Sequence, residues 1–173
     1  MAVVAPSQPN HRQRERMSDT EKEALTKVHV PLPENPHCGG ESLWAKPLGE
    51  DLFELRNVPF YAYGLNFCDV VLAIEPAPDK KPSVLRVVRR GGHRTLWVTF
   101  LDTRSAADRG QLLEELNSWK AYYEGADGTY FAIDVEPGGD YEAVLTRLSS
   151  WQALGVLEFH DGEAGGFRSR ERE

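Results

Sequence analysis

Asp69 is the polar residue of this sequence that is best placed to do chemistry. It stands between turn residues that begin at Gly64 and the apolar run at 70–74. A carboxylate at the start of a buried strand is desolvated, which raises its pKa and suits it to act as a base. The alternative role is structural, because a carboxylate in a turn commonly accepts hydrogen bonds from nearby backbone N–H groups. We favour the structural role and predict no catalytic residue, since the sequence has no Gly-x-Ser-x-Gly elbow, phosphate-binding glycine loop or His-Glu-x-x-His motif.

The histidines and cysteines include side-chain types that bind zinc. These residues are His37, Cys38, Cys68, His93 and His160. A structural zinc site takes its ligands in pairs from short knuckles, whereas His37 and Cys38 are adjacent and the others are scattered. We therefore predict no metal and no other cofactor, with Cys68 as a small buried side chain and His37 as a loop residue. Two cysteines in 173 residues are too few for a disulfide scaffold, so we expect both to be reduced.

Basic residues are concentrated around Gly91-Gly92, a pair that indicates a tight turn at the tip of a hairpin. They are Arg86, Arg89, Arg90, His93 and Arg94. One interpretation is contact with an anion such as a nucleic-acid backbone. The other is a charged strand edge that prevents aggregation, and we favour it. The formal net charge of -7 and the pI near 5.3 also argue against a general nucleic-acid binder.

The segment 102–161 is strongly acidic. It contains the acids Asp102, Asp108, Glu114, Glu115, Glu124, Asp127, Asp134, Glu136, Asp140, Glu142, Glu158 and Asp161 against the bases Arg104, Arg109, Lys120 and Arg147. The negative electrostatic potential of such a segment attracts and orients a basic protein surface. We therefore predict a basic protein partner contacted by Glu114, Glu115 and Glu124. An immunity protein that masks a basic toxin or nuclease would fit. An acidic domain without a partner fits equally well.

The first half of the chain has the pattern of a small β-barrel. In the apolar stretch 57–74, Val58, Phe60 and Ala62 alternate with Pro59, Tyr61 and Tyr63, which predicts a strand with one buried face before Gly64. Segment 70–74 predicts a strand buried on both faces. Further short strands are predicted at 28–32, as an edge strand, and at 43–45, 52–55 and 84–88. Closure into a barrel would hide their edges.

The second half alternates strands and helices. Strands are predicted at 96–101, 130–135 and 156–159. A first helix begins after Ser105, carries an apolar stripe as far as Tyr123 and stops at Gly125, and a second begins after Asp140. The prediction is a two-layer α/β half, loosely ferredoxin-like, in an α+β protein.

The domain prediction has four parts. Residues 1–27 form a disordered segment, 28–92 a small β-barrel-like domain, 93–162 the α/β domain and 163–173 a flexible tail. Met17 begins a second plausible start of the protein.

Three motifs resemble one protein family. They are Leu-Trp-Ala-Lys-Pro-Leu-Gly at 43–49, Leu-Phe-Glu-Leu-Arg-Asn-Val-Pro-Phe at 52–60, and Tyr-Gly-Leu at 63–65 with Asp-Val-Val at 69–71. The chain resembles bacterial domain-of-unknown-function family 4265 from about residue 28 to about residue 159. The resemblance implies bacterial origin and a shared fold but supplies no active site. Cys68 stands where the family pattern leads us to expect glycine.

We therefore predict a non-enzymatic protein-binding or regulatory module of the bacterial cytosol. The chain has no apolar run long enough to cross a membrane, so we expect no membrane contact. The first alternative is an enzyme with a site near Asp69, which requires a pocket where Asp69 or His93 meets other polar groups. The second alternative is nucleic-acid contact through the hairpin from Arg86 to Arg94.

Overall fold

The computed structural model describes residues 25–33, 35, 39–78 and 80–163. Its elements are β1 (Thr26–Pro31), β2 (Gly40–Gly49), β3 (Leu52–Leu55), β4 (Val70–Ile74), β5 (Ser83–Arg89), β6 (Arg94–Phe100), α1 (Ala106–Leu113), a 3₁₀ helix (Glu114–Trp119), β7 (Ala121–Gly125), β8 (Tyr130–Val135), α2 (Tyr141–Ala153) and β9 (Leu157–Asp161). The α+β class is confirmed. The predictions for Met17, His37 and Cys38, for most of the segment 1–27 and for the tail beyond residue 163 lie outside the described residues.

Strands β1 to β5 form a closed barrel, which confirms the sequence prediction. Sequential strands pair antiparallel, and a parallel pairing of β1 with β5 completes the closure. Strand β1 is therefore not the edge strand that was predicted, because it has a neighbour on each side. The interior is apolar and includes Val28, Leu43, Leu55, Leu65, Val71 and Val84. Strand β4 is buried at Val70 and Val71 but exposed at Ile74, so its predicted burial on both faces holds only near its start.

The second half is a four-stranded antiparallel sheet in the order β7-β8-β6-β9. With α1 after β6 and α2 after β8, this is the βαββαβ connectivity of ferredoxin-like folds. Ser105 and Asp140 cap α1 and α2 through the backbone N–H groups of Asp108 and Ala143, as their types predict. The helices and one sheet face enclose a core built on residues such as Leu96, Leu113, Ile133, Leu148 and Trp151.

Strand β7 was not predicted, and the first helix is shorter than expected. The α-helix ends at Leu113, the 3₁₀ helix carries the chain to Trp119, and Lys120 adopts a left-handed backbone with φ 57°. The chain therefore reverses, and Tyr123 lies on β7. Because Trp119 and Tyr123 pack against the same core as Leu113, the apolar spacing alone did not distinguish a longer helix from a helix followed by a strand.

The predicted strand before Gly64 is wrong, and its predicted one-sided burial holds only in part, because Pro59 is buried as well. Val58, Phe60 and Ala62 are buried, but the chain from residue 56 to residue 69 contains no strand. The N–H groups of residues 60, 61 and 62 donate to the carboxylate of Glu41 at 2.8, 3.0 and 3.1 Å instead of to a neighbouring strand. The carboxylate of Glu41 thus takes the place of the neighbouring strand that the sequence prediction would require as hydrogen-bond partner.

This loop also joins the barrel to the second sheet. Phe60 and Val58 pack with Trp97 and Ala132 on the sheet face opposite the helices. The Trp97 indole donates to the carbonyl of Pro59 at 2.8 Å, and the Tyr130 hydroxyl donates to the carbonyl of Phe60 at 2.5 Å. We call residues 57–63 the junction loop.

The predicted hairpin from Arg86 to Arg94 is also wrong. Strand β5 belongs to the barrel and β6 to the second sheet, so the two strands do not pair. Gly91 and Gly92 form the connection between the two sheets, because the barrel is already closed by the pairing of β5 with β1 and β4.

Candidate functional site

A thiol, an imidazole and a carboxylate meet where the barrel joins the second sheet. Cys68 lies two residues before β4, His93 immediately precedes β6, and Asp134 lies on β8. The His93 Nδ1 atom lies 2.8 and 3.0 Å from the two carboxylate oxygens of Asp134. The Cys68 side chain is near enough to this ring to raise the pKa of His93. We call Cys68, His93 and Asp134 the thiol site.

Gly91 lets the connection between the sheets lie directly against Cys68. A Cβ atom built on Gly91 would lie 2.5 Å from the carbonyl carbon of Cys68 and 2.7 Å from its Cβ, which no side chain can tolerate. This approach places His93, two residues later, beside the sulfur.

Asp69 fixes the close packing of Gly91 against Cys68. Its Oδ1 accepts the N–H of Gly91 at 2.9 Å, and its Oδ2 accepts the N–H of Asn66 at 3.1 Å and the Arg90 guanidinium at 2.8 Å. Burial raises the pKa of Asp69, while these bonds and the charge of Arg90 oppose the rise. The side chain is completely buried, and its contacts describe a carboxylate that organises its own turn and the neighbouring connection.

Cys68 has an uncommon backbone conformation. Its φ of 62° lies in the left-handed region, which glycine adopts freely and other residues adopt at a cost. This explains why glycine was expected at the position. Residues held in such conformations concentrate at functional sites. Cys68 is partly exposed and forms no disulfide.

His93 carries a positive charge at neutral pH. Burial lowers its pKa, but the hydrogen bonds and charges of Asp134 and Cys68 outweigh burial and raise the pKa to about 10. The edge of the Phe67 ring packs against the imidazole with ring centroids 5.0 Å apart, and only 11% of the His93 side chain is exposed. The thiolate is the nucleophilic form of cysteine.

Comparison with protein families identifies the chain. The profile of Domain of unknown function (DUF4265) matches residues 41–159. The chain belongs to this family. The predicted resemblance is therefore confirmed, and the family description supplies no activity.

A solved structure shares the fold of this DUF4265 protein. It is a hypothetical protein from Neisseria gonorrhoeae, with a TM-score of 0.68, 16% identity, and coverage of 79% of this chain and 93% of that one. A comparison with curated proteins finds no match. At this identity the likeness concerns the fold alone, so the chemistry has to be argued from the residues of the thiol site.

Sequence reasoning did not assemble the thiol site. It treated Cys68 as a small apolar residue, grouped His93 with the arginines and gave Asp134 no individual role. The one available signal was a cysteine where the family pattern led us to expect glycine. Nothing in the spacing of residues 68, 93 and 134 indicates that the fold brings them together.

The basic residues predicted as one patch are divided in the structure. The Arg89 guanidinium lies 3.9 Å from a carboxylate oxygen of Glu54. The Arg90 guanidinium pairs with the Asp69 carboxylate and donates a hydrogen bond to the carbonyl of Gly64. The Arg94 guanidinium lies over the ring of Tyr141, 4.3 Å from its centroid. These contacts point the cations toward different neighbours.

The acids predicted to bind a partner lie in different environments. Glu114 and Glu115 are exposed on the 3₁₀ helix, and Glu115 pairs with Arg147. Glu124 is only 4% exposed, so it does not lie on the surface available to a partner. Glu114 is therefore the residue that best tests the acidic surface.

The grouping of metal-binding side chains and the hydropathy of the helices can be stated for the described residues. Among these residues, no three His, Cys, Asp or Glu side chains are grouped so that they could hold a metal ion. None of the helices within the described ranges combines the length and the hydropathy needed to cross a bilayer.

Proposed function

We propose that this protein performs thiol chemistry, with Cys68 as the nucleophile and His93 and Asp134 as its supporting groups. One observation carries the proposal: His93 is hydrogen-bonded to the buried carboxylate of Asp134 and lies two residues after Gly91, which packs directly against Cys68. Cysteine nucleophiles are activated by this combination of a base and a group that orients the base.

Each residue has a separate role in the proposal. Asp134 fixes the orientation of the imidazole and stabilises its charged form through Nδ1. With Nδ1 occupied, Nε2 is the ring nitrogen left for the sulfur, and its proton stabilises the thiolate. Cys68 then attacks an electrophilic substrate. Asp69 is a positioning residue, because it holds the N–H of Gly91 and does not touch the thiol site directly in these contacts.

The test is the rate at which Cys68 is alkylated by iodoacetamide. A Cys38→Ser background leaves Cys68 as the single cysteine. We expect His93→Gln and Asp134→Asn each to slow alkylation at mildly acidic pH by about tenfold or more, because each weakens the imidazolium that favours the thiolate. His160→Gln is the matched control, since His160 is exposed on β9. Equal rates in folded wild-type and His93→Gln proteins would refute the proposal.

A second candidate is the binding of a basic protein by the acidic half. Its support is the exposure of Glu114 beside the exposed Glu115 on the 3₁₀ helix, within a segment rich in acids. An immunity protein in the bacterial cytosol that neutralises a basic toxin would have this property.

Charge reversal tests the second candidate. Affinity purification of wild-type protein should yield a basic partner that is released by salt, and Glu114→Lys should slow its association. Glu158→Lys, on exposed β9, controls for net charge. A partner whose association rate is unchanged by Glu114→Lys at low salt would exclude this surface.

A further inference from the structure

The backbone N–H groups of Cys68, Asp69 and Gly91 are already used within the protein. The N–H of Cys68 donates to the carbonyl of Leu55 at 3.0 Å, and that of Asp69 donates to the carbonyl of Asn66 at 3.2 Å. The N–H of Gly91 donates to the Asp69 carboxylate at 2.9 Å. Acyl transfer requires such donors to stabilise the oxyanion of its tetrahedral intermediate. These three groups are not available for that purpose.

The thiol site instead provides a proton donor next to the sulfur. His93 is held by two contacts to Asp134, and Gly91, two residues earlier, packs directly against Cys68, which brings the imidazole near the thiol that would attack. The Phe67 ring packs on the imidazole, and His93 is mostly buried, which restricts approach to small molecules. This combination suits a small electrophile whose leaving atom must be protonated.

We propose, building on the nucleophilic role of Cys68 proposed above, that a hydroperoxide oxidises this thiol to a sulfenic acid. The Cys68 thiolate attacks the terminal peroxide oxygen, so that a sulfur–oxygen bond forms as the oxygen–oxygen bond breaks. Sulfur loses two electrons, and the peroxide is reduced by two. The oxygen that leaves as hydroxide or alkoxide takes the proton of His93, which gives water or an alcohol and a neutral imidazole.

The return to the thiol requires a second thiol. A low-molecular-weight thiol would condense with the sulfenic acid to give a mixed disulfide and water, and a further thiol would release Cys68 by exchange. The partly exposed position of Cys68 leaves room for this step.

The experiment treats the Cys38→Ser full chain with hydrogen peroxide in the presence of dimedone and follows the adduct by intact mass. We expect a dimedone adduct on Cys68 that forms about tenfold faster or more than with free glutathione under the same conditions. His93→Gln should slow the reaction by about tenfold or more, because it removes the proton donor. Asp134→Asn should also slow the oxidation of Cys68, whereas His160→Gln should leave its rate unchanged.

The comparison with glutathione uses only protein with an intact thiol site and therefore decides the question even if a variant fails to fold. Rapid alkylation of Cys68 combined with peroxide oxidation no faster than that of glutathione would overturn the sulfenic acid proposal and leave the nucleophile proposal standing. Slow alkylation together with slow oxidation would overturn both. Fast oxidation that is unchanged in folded His93→Gln would refute the role of His93 as proton donor.

Discussion

Glu41 makes a specific prediction about how stability depends on pH. Its carboxylate is 3% exposed and accepts the N–H groups of Phe60, Tyr61 and Ala62 in the junction loop. Burial raises its pKa from 4.5 to about 7, although the three hydrogen bonds oppose this rise. Because the pKa is higher in the folded state, proton binding by Glu41 stabilises the fold. That contribution is fully present below the unfolded pKa of 4.5 and is lost as pH rises through about 7.

The substitution Glu41→Gln isolates this effect. Glutamine has a similar volume and keeps one acceptor oxygen, but it does not titrate. A pKa raised by this amount corresponds to about 2 to 3 kcal/mol of unfolding free energy between about pH 5 and about pH 8. We therefore expect the stability of Glu41→Gln relative to wild type to increase by that amount across this range. Glu41→Gln loses part of the hydrogen bonding to the junction loop at every pH. This loss shifts the difference in unfolding free energy between variant and wild type by the same amount at every pH.

The assay is urea unfolding of both proteins at about pH 5 and about pH 8. The unfolding free energies are compared only where the dependence on urea concentration has the same slope in both proteins. The titration of His93 and of the other groups is common to both proteins and cancels in the difference. Glu158→Gln, an exposed glutamate on β9, is the matched control and should show no such change. A difference between wild type and Glu41→Gln that is the same at both pH values would show that the carboxylate does not bind a proton in this range.

Three further predictions concern the core and the thiol site. Phe60→Ala should lower the unfolding free energy by about 3 to 5 kcal/mol because Phe60 is almost fully buried, and a melting temperature within a few degrees of wild type would contradict this; Trp119→Ala should cost less, since Trp119 is only partly buried. Gly91→Ala should lower both thermal stability and the rate of Cys68 alkylation, because the added Cβ would collide with Cys68; normal values of both would refute the close approach. In the Cys38→Ser background, Cys68→Gly should abolish alkylation yet raise the unfolding free energy by about 1 kcal/mol, since glycine relieves the left-handed backbone. A variant that is destabilised in urea unfolding would argue against that strain.

The sequence was informative wherever a local pattern has a single structural meaning. Ser105 and Asp140 predicted both helix starts because a short polar side chain before an apolar stripe has few other uses. The junction loop shows the limit of such patterns. The alternation predicted correctly that Val58, Phe60 and Ala62 are buried, but it did not predict the burial of Pro59. It also does not report what binds the backbone, and here the partner is Glu41, which is 19 to 21 residues away in sequence.

The thiol site could not be predicted for a related reason. Its three residues come from the segment before β4, the connection before β6 and the middle of the second sheet. Their meeting depends on the close approach of Gly91 to Cys68 and on the register that places Asp134 opposite Thr95. A single sequence contains both glycine and aspartate at those positions but does not state which distant residue each one faces.

The connection at Gly91 and Gly92 runs through the thiol site as well as between the two sheets. A cut there would place the sulfur of Cys68 on one fragment and the imidazole and carboxylate of His93 and Asp134 on the other. Neither fragment alone would hold the groups that activate the thiol. If His93 and Asp134 activate Cys68 as proposed, the reactivity of Cys68 would report reassembly of the two fragments.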